Sequence, residues 1–230
     1  HLLCADLALR SEMESYADVA VLPPYHRVIV DEVHHLEMVA TEYFGLSVSR
    51  GGFIRLMGRL YSEKRGRESQ GILSRIRTKL IIKNKGAQKK EITSLVNRIE
   101  NTIIPRKDRL LEAGNAFFEK VQLFAGTNGT NDSLERKLRL TGQVMERKER
   151  KQEIIPAVHE IIRFCQEMIK ELEDLRERLE PLTGAVKKEL ENDVIALGSQ
   201  IARMNGMVES FHEIFFVEDD EAVKWIEVET

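Results

Sequence analysis

The chain has 230 residues, 42% of them hydrophobic and 32% charged, and its net charge at pH 7 is −3. This length allows one large domain or two small ones. The presence of only two cysteines, Cys4 and Cys165, argues against a disulfide framework. No apolar run is long enough to span a membrane and no signal peptide is visible, so the sequence predicts a soluble, cytoplasmic protein without a membrane partner.

The chain begins with a predicted helix, because apolar residues recur over residues 2–13 as in a short amphipathic helix. The segment from Asp18 to Leu22 is predicted to be extended. Pro23-Pro24 then enforces an extended turn.

A β-branched run, Val28-Ile29-Val30, is too short to begin a helix and predicts a buried strand. Two carboxylates, Asp31 and Glu32, follow where that strand would end. In a parallel sheet, ligands bind beyond the carboxyl ends of the strands. An Asp at this place can hold Mg²⁺ on a nucleotide, and a neighbouring Glu can orient the attacking water. A buried strand that ends in a solvated acidic turn is the alternative. A helix is predicted from Leu36 to Phe44, closed by Gly45.

Helical periodicity begins after Gly51-Gly52, which we predict to break the chain. Two short helices are expected first, and residues 84–86 end the second. Their apolar positions are Phe53, Leu56, Met57 and Leu60 in the first helix, and Ile72, Leu73, Ile76, Leu80 and Ile81 in the second.

A long helix is predicted over residues 92–124, with a kink at Pro105. Residues 126–132 are rich in Gly, Asn and Thr and predict a loop. Leu138 and Leu140 alternate with basic residues, which indicates a short extended piece.

Two helices of heptad periodicity follow, over residues 154–182 and 190–215. Pro181 and Gly184 between them predict a hairpin. One continuous helix is the alternative, because the phase of the repeat nearly carries across. Residues 222–228 are predicted to form a strand.

Charge is distributed unevenly along the chain. Residues 50–90 hold 13 Lys/Arg against 2 Asp/Glu, whereas residues 151–230 hold 9 against 19. A basic block of this size suits contacts with the phosphates of nucleic acids. A solvated helical face is the alternative interpretation.

The sequence Asp31-Glu32-Val33-His34 resembles the DEAH-type Walker B box of helicases, with valine in place of the commoner alanine. The stretches on either side, from His1 to Arg10 and from His35 to Gly45, are similar to the DinG/XPD branch of superfamily-two DNA helicases. This specific similarity covers residues 1–45. Beyond them the similarity is architectural: a long helical insertion, called the arch domain in that family, is followed by a return to the motor.

This resemblance implies the fold and the domains. Residues 1–49 would belong to motor domain 1, a RecA-like α/β domain with the Walker B box, and residues 50–216 would form the arch-like insertion. Residues 217–230 would be a strand that returns to the motor domain. The fold class is then mostly α, a long antiparallel helical bundle or coiled coil attached to a small α/β remnant. Because the chain opens on His1 without a methionine, we expect a fragment of a larger protein.

The resemblance also implies roles within the box. Asp31 would hold the Mg²⁺ of ATP, Glu32 would direct the attacking water, and His34 would couple the nucleotide state to the other motor lobe. No G-x-x-x-x-G-K-[ST] loop occurs in the sequence, so that loop would lie upstream in the parent and the fragment alone would be inactive. An iron–sulfur cluster is possible in the parent, but this chain has too few cysteines to build one.

The parent would be an ATP-dependent DNA helicase of DNA repair. It would couple ATP hydrolysis to translocation on single-stranded or forked DNA and would unwind it with 5′→3′ polarity, as in the family. Contacts of the arch with single-stranded DNA are predicted at Arg55, Arg59, Arg75, Arg77 and Lys79. Aromatic side chains are scarce there, so we expect electrostatic binding without base recognition. The alternative function is a non-enzymatic helical module for protein interactions, in which the two carboxylates are a coincidental strand end.

Overall fold

The structure is a computed structural model that describes residues 27–29, 31, 33–63, 69–83, 88–126, 135–217 and 222–229. The chain divides into two compact units, His1–Ser47 and Val48–Thr230. Several predicted elements lie outside the described residues, namely the helix over 2–13, the extended segment 18–22, the stop at 84–86, most of the loop at 126–132, and two residues of the Walker B-like segment, Val30 and Glu32.

Among the described residues of the first unit, residues 33–44 are helical. A 3₁₀ turn, Val33–His35, leads into α1, Leu36–Phe44. The N–H of Gly45 donates to Thr41 O at 2.9 Å and closes the helix, as predicted.

The prediction of a buried strand is wrong for residues 27–29. These residues have no regular secondary structure, and Ile29 is 99% exposed. A buried strand needs neighbouring strands to pair its N–H and C=O groups. The described residues of this unit contain helix and coil only, so no partner strand is present among them.

The second unit is mostly helical, and its helices pack in an antiparallel bundle. Its elements are α2 (Arg50–Leu60), α3 (Ile72–Ile82), α4 (Lys89–Arg98), a first π segment (Ile99–Ile103), α5 (Ile104–Gly126), β1 (Glu135–Arg139), α6 (Gly142–Met145), a second π segment (Arg150–Ile154), α7 (Ile155–Leu179), α8 (Gly184–Phe216) and β2 (Trp225–Glu229).

The start of α2 corrects the prediction that two glycines break the chain. Gly51 and Gly52 lie in the first turn of the helix, and the side chain of Ser49 accepts a hydrogen bond from the N–H of Gly52 at 3.1 Å. This cap satisfies an N–H group that has no partner within the helix. Burial of apolar side chains, such as Phe53 and Met57, stabilises this helix despite its two glycines.

Four arms form the bundle in the described part of this unit. The first arm is α2 followed by α3, the second is α4 with α5, the third is α7 and the fourth is α8. The first and third arms each pack against the second and the fourth. Cross-arm ion pairs show that neighbouring arms are antiparallel: residues 91, 98 and 106 of the second arm face residues 178, 171 and 167 of the third.

The core follows the predicted heptad pattern. Every predicted apolar position from Ile154 to Leu182 is buried, and most of those from Leu190 to Phe215 are buried as well. Apolar stripes with this spacing place one side chain per turn against the neighbouring arms. The mostly α fold and the helical bundle are therefore confirmed.

Two prolines each follow a π segment. Pro105 and Pro156 are the second residues of α5 and α7, and five residues of π-helix precede each of those helices. A proline inside a helix lacks the N–H for the i−4 carbonyl and its ring clashes with that carbonyl. A wider turn makes room for the ring. The irregularity predicted at Pro105 thus takes the form of a π segment.

The connection between α7 and α8 is a hairpin, as predicted, and the alternative of one continuous helix is wrong. Four residues, 180–183, separate the helices. Gly184 begins α8 with φ of 67°, a left-handed conformation that side chains with a Cβ rarely adopt.

The two predicted extended segments form one antiparallel sheet. β1 pairs with β2 in a register that places Arg139 opposite Trp225 and Leu138 opposite Ile226. Leu138 and Ile226 pack against the core cluster of the helical unit, and the sheet lies on α5. The strand predicted at 222–228 is confirmed, and its partner here is β1.

Candidate nucleotide and nucleic-acid sites

The Walker B-like segment is exposed wherever it is described. Asp31 lies on a bend with its side chain in solvent, and the 3₁₀ turn that follows carries His34 and His35, also exposed. The two imidazole rings are tilted against each other with centroids 4.0 Å apart. Among the described residues, no group of three His, Cys, Asp or Glu side chains could hold a metal ion. A single carboxylate is nevertheless the kind of ligand through which proteins hold nucleotide-bound Mg²⁺, the remaining ligands being water and phosphates.

The structure separates the five predicted DNA-contact residues into two groups. Arg55 and Arg59 project from α2 into solvent and form no ion pair with another described residue. Arg75, Arg77 and Lys79 lie on α3, and all of them are held in ion pairs within the helical unit.

Asp193 of α8 is the centre of the α3 contacts. Its side chain is only 5% exposed, and its two oxygens accept from Arg75 Nε at 2.8 Å and from Lys79 Nζ at 2.7 Å. Lys79 Nζ also donates to the carbonyl oxygen of Glu189 at 2.7 Å. Arg77 pairs with Glu100 of the first π segment. Three of the five residues predicted to contact DNA therefore hold α3 against neighbouring segments of the helical unit.

A ladder of ion pairs continues between the second and third arms. Arg98 reaches Glu171 at 2.7 Å and Asp174 at 3.2 Å. Arg106 reaches Glu171 at 3.4 Å, and Arg178 reaches Glu91 at 3.0 Å. Among the described residues, six acidic side chains of residues 151–230 pair with arginines and lysines from the preceding part of the chain, namely Glu167, Glu171, Asp174, Glu189, Asp193 and Glu227.

The end of the bundle where α7 turns into α8 brings the last two lysines of the basic block beside a second Lys-Lys pair, a juxtaposition that the sequence did not predict. Gln88 and Thr183, the N-cap residues of α4 and α8, are joined by a hydrogen bond of 3.1 Å from Gln88 Nε2 to Thr183 Oγ1. We call this end, with its exposed side chains Lys89, Lys90, Lys187 and Lys188, the lysine tip. The sequence did contain a signal for this surface. Both Lys-Lys pairs lie near the start of a predicted helix, where acidic residues are usual.

The described cysteine is not a nucleophile candidate. Cys165 of α7 is fully buried in the core cluster, and burial raises the pKa of its thiol to about 12. A thiol of that pKa carries almost no thiolate at neutral pH, and the thiolate is the reactive form. The interpretation of Cys165 as a small buried hydrophobe is confirmed.

Comparisons of the chain with protein-family models, with curated proteins and with solved structures found no match. No helix in the described part of the chain combines the length and the apolar character needed to cross a membrane. The resemblance to DinG/XPD helicases accordingly rests on the Walker B-like box and its flanking sequence.

Proposed function

We propose that this chain is the Walker B segment and the arch-like helical insertion of a DinG/XPD-like, ATP-dependent DNA helicase. The box at residues 31–34 and the long helical unit that follows it are the features of that family which the sequence contains. One observation of the helical unit carries the proposal furthest: the chain enters and leaves the bundle at the same end.

The entry lies at the start of α2. Arg50 donates to Asn115 Oδ1 at 3.3 Å and lies 3.7 Å from a carboxylate oxygen of Glu119, both on α5. The ring of Phe53 is 6.0 Å from that of Phe118, again on α5. The first residues of the helical unit therefore pack on the C-terminal half of α5.

The exit lies beside the same half of α5. Phe215, near the end of α8, has its ring 5.8 Å from that of Phe117, and Phe117 is 5.0 Å from Phe118. A helical excursion whose two ends meet can be inserted into a loop of another domain without separating the strands on either side. That geometry supports an insertion.

The residues of the box suit the proposed chemistry. Bound ATP supplies the phosphoryl group that is transferred to water, and the Asp31 carboxylate would hold its Mg²⁺. Glu32 would orient the water and accept its proton, and His34 would transmit the nucleotide state. Of the five predicted DNA-contact residues, Arg55 and Arg59 are exposed and form no ion pair within the described bundle.

The first test is the coding sequence on both sides of this stretch. A G-x-x-x-x-G-K-[ST] loop upstream and a second motor lobe downstream are expected. In the whole gene product, Glu32→Gln should lower DNA-stimulated ATP hydrolysis by about 10²-fold or more, since a positioned proton acceptor contributes that much. The control is Glu209→Gln, an exposed position of α8.

Two results would overturn the proposal. One is a gene without a phosphate-binding loop on either side of this stretch. The other is an unchanged ATPase rate in Glu32→Gln. With no loop, and with a concentration-dependent dimer of the 230-residue chain that has no affinity for DNA, the helical interaction module becomes the better account.

A further inference from the structure

The lysine tip brings four ammonium groups to one end of the bundle. Lys89 and Lys90 stand in the first turn of α4, and Lys187 and Lys188 stand near the start of α8. The hydrogen bond between the two N-cap side chains, Gln88 and Thr183, holds these helix starts side by side. All four lysine side chains are exposed.

Two acidic residues near the tip, Glu91 and Glu189, pair with cations outside it. Glu91 accepts from Arg178 at 3.0 Å, and Glu189 pairs with Lys83 at 2.8 Å. None of the four lysines of the tip forms an ion pair with another described residue. Their charge is therefore available to a ligand.

These lysines also stand where they do not stabilise the fold. The N-terminus of a helix carries partial positive charge, so acidic residues are favourable there and basic residues are unfavourable. Neither N-cap side chain accepts a hydrogen bond from its own helix, so the first N–H groups of α4 and α8 are not capped by those residues. Lysine side chains and helix starts favour the same kind of ligand, an anion.

The opposite end of α8 follows the dipole rule. Lys224 Nζ donates to the carbonyl oxygen of Val217 at 2.6 Å, and Arg150 donates to that of Phe215 at 3.2 Å. Cations at a helix C-terminus are stabilising. At the starts of α4 and α8 the four lysines go against that rule, and Glu91 is the acidic residue that follows it in the first turn of α4.

We propose that the lysine tip binds the phosphate backbone of single-stranded DNA. Ammonium groups on flexible stems suit a backbone contact without base recognition, because they act as point charges. The choice of DNA among polyanions rests on the proposed function. The inference adds a contact surface at the end of the bundle remote from the entry and exit, distinct from Arg55 and Arg59.

The test compares two variants of the 230-residue chain that lose the same charge. The tip variant is K89Q/K90Q/K187Q/K188Q. The control variant is R109Q/K120Q/K170Q/R203Q, four exposed basic residues that form no ion pair with another described residue. Binding to a fluorescein-labelled 30-mer of deoxythymidylate is followed by fluorescence anisotropy over a series of salt concentrations, and thermal unfolding is recorded for each protein.

The tip variant should bind the oligonucleotide about ten-fold or more weakly at low salt, and its slope of log K against log salt should fall by about 3, since each phosphate contact on a single strand contributes about 0.7. Its Tm should equal or exceed that of the unmodified chain, because removing positive charge from a helix start relieves repulsion. The control variant should keep most of both the affinity and the slope.

Equal losses in the two variants would overturn the proposal, because they would report net charge and not a site. Binding of the unmodified chain to phosphatidylserine vesicles, with no affinity for the oligonucleotide, would also overturn it. The DNA-binding test of the lysine tip can fail while the helicase proposal stands. A phosphate-binding loop in the flanking sequence together with an inert tip removes only this inference.

Discussion

On the scale of single residues, the buried carboxylate of Asp193 determines what Arg75 and Lys79 do. An ionised group with 5% exposure is stable only when its charge is paired and hydrogen-bonded, and the two cations of α3 supply both. The same two residues were predicted to contact DNA, and that prediction has not been tested. A substitution of Arg75 or Lys79 therefore changes the stability of the fold as well as any contact with DNA.

The double variant Arg75→Ala/Lys79→Ala should be strongly destabilised. It leaves the Asp193 carboxylate buried without a partner, a loss of about 3–5 kcal/mol for a broken buried pair. Asp193→Asn should cost less, because both cations are partly exposed and can turn to solvent. Urea unfolding of the three proteins measures the difference. Equal stability of the double variant and the parent chain would show that the pair does not hold α3 on α8.

Cys165 should make stability fall at alkaline pH. Burial raises the pKa of its thiol from 9.0 to about 12. Below pH 9 the thiol is neutral in both states and costs nothing. Between pH 9 and 12 the unfolded chain loses the proton first, so unfolding becomes easier, by about 2 kcal/mol at pH 10.5.

The check is to compare the parent chain with Cys165→Ala in urea at pH 8 and pH 10.5. At pH 8 the variant should be less stable than the parent chain, since it leaves a cavity. Its further loss between the two pH values should nevertheless be smaller than that of the parent chain. The same pH dependence in both proteins would refute the account.

On the scale of elements, α5 and α2 approach closely at a glycine. A Cβ on Gly114 would lie 2.1 Å from Cε1 of Phe53, whose ring is 1% exposed. Neither the period of α5 nor that of α2 reveals this contact, because each pattern specifies only the apolar face of its own helix. Which residue of one face meets which residue of the other is set by how the arms pack.

Gly114→Ala should therefore destabilise the bundle by about 1–3 kcal/mol, the usual cost of overpacking. Gly206→Ala is the matched control, since its Cβ would meet no atom within 4 Å in α8. That control should stabilise by about 0.5–1 kcal/mol, the helix propensity gained over glycine. Thermal unfolding of both variants gives the comparison, and effects of the same sign would contradict it.

The Lys224 side chain links the small sheet to the end of α8. Lys224 Nζ donates to the carbonyl oxygens of Ile214 at 3.2 Å and Val217 at 2.6 Å. Lys224→Met should leave these carbonyls without that donor and speed the hydrogen exchange of the β1–β2 amides, while the amides of α7 stay protected. Lys148→Met, at an exposed position, is the control. Unchanged exchange in β1 and β2 would show that this link does not stabilise the sheet.

On the scale of the molecule, the charge asymmetry of the sequence becomes pairing between arms. The basic block was predicted to contact phosphates, with a solvated helical face as the alternative. Among the described residues, members of the two blocks meet across the interface of α3 with α8, as in the pair of Lys83 with Glu189 at 2.8 Å. Such networks set the register and choice of neighbours for helices whose apolar stripes are alike.

The helical unit should be the stable part of the chain. Its core is a continuous cluster of buried residues, whereas Ile29 in the first unit is 99% exposed. In hydrogen exchange followed by mass spectrometry, peptides from residues 155–216 should exchange slowest, and peptides from residues 27–47 should exchange fast. Protection of the latter with rapid exchange of the former would contradict the structure.

The sequence by itself predicted most of the helices and two short extended segments, and it favoured a hairpin between α7 and α8 over one continuous helix. These features depend on local signals, a period of 3.6 residues and turn residues such as Gly184, which act within a few positions along the chain. The tertiary structure decided that Arg75 pairs with Asp193, 118 residues away, that β2 pairs with β1, and that the lysine tip assembles from two helix starts. Contacts at such separations depend on how the arms pack, which no local pattern specifies.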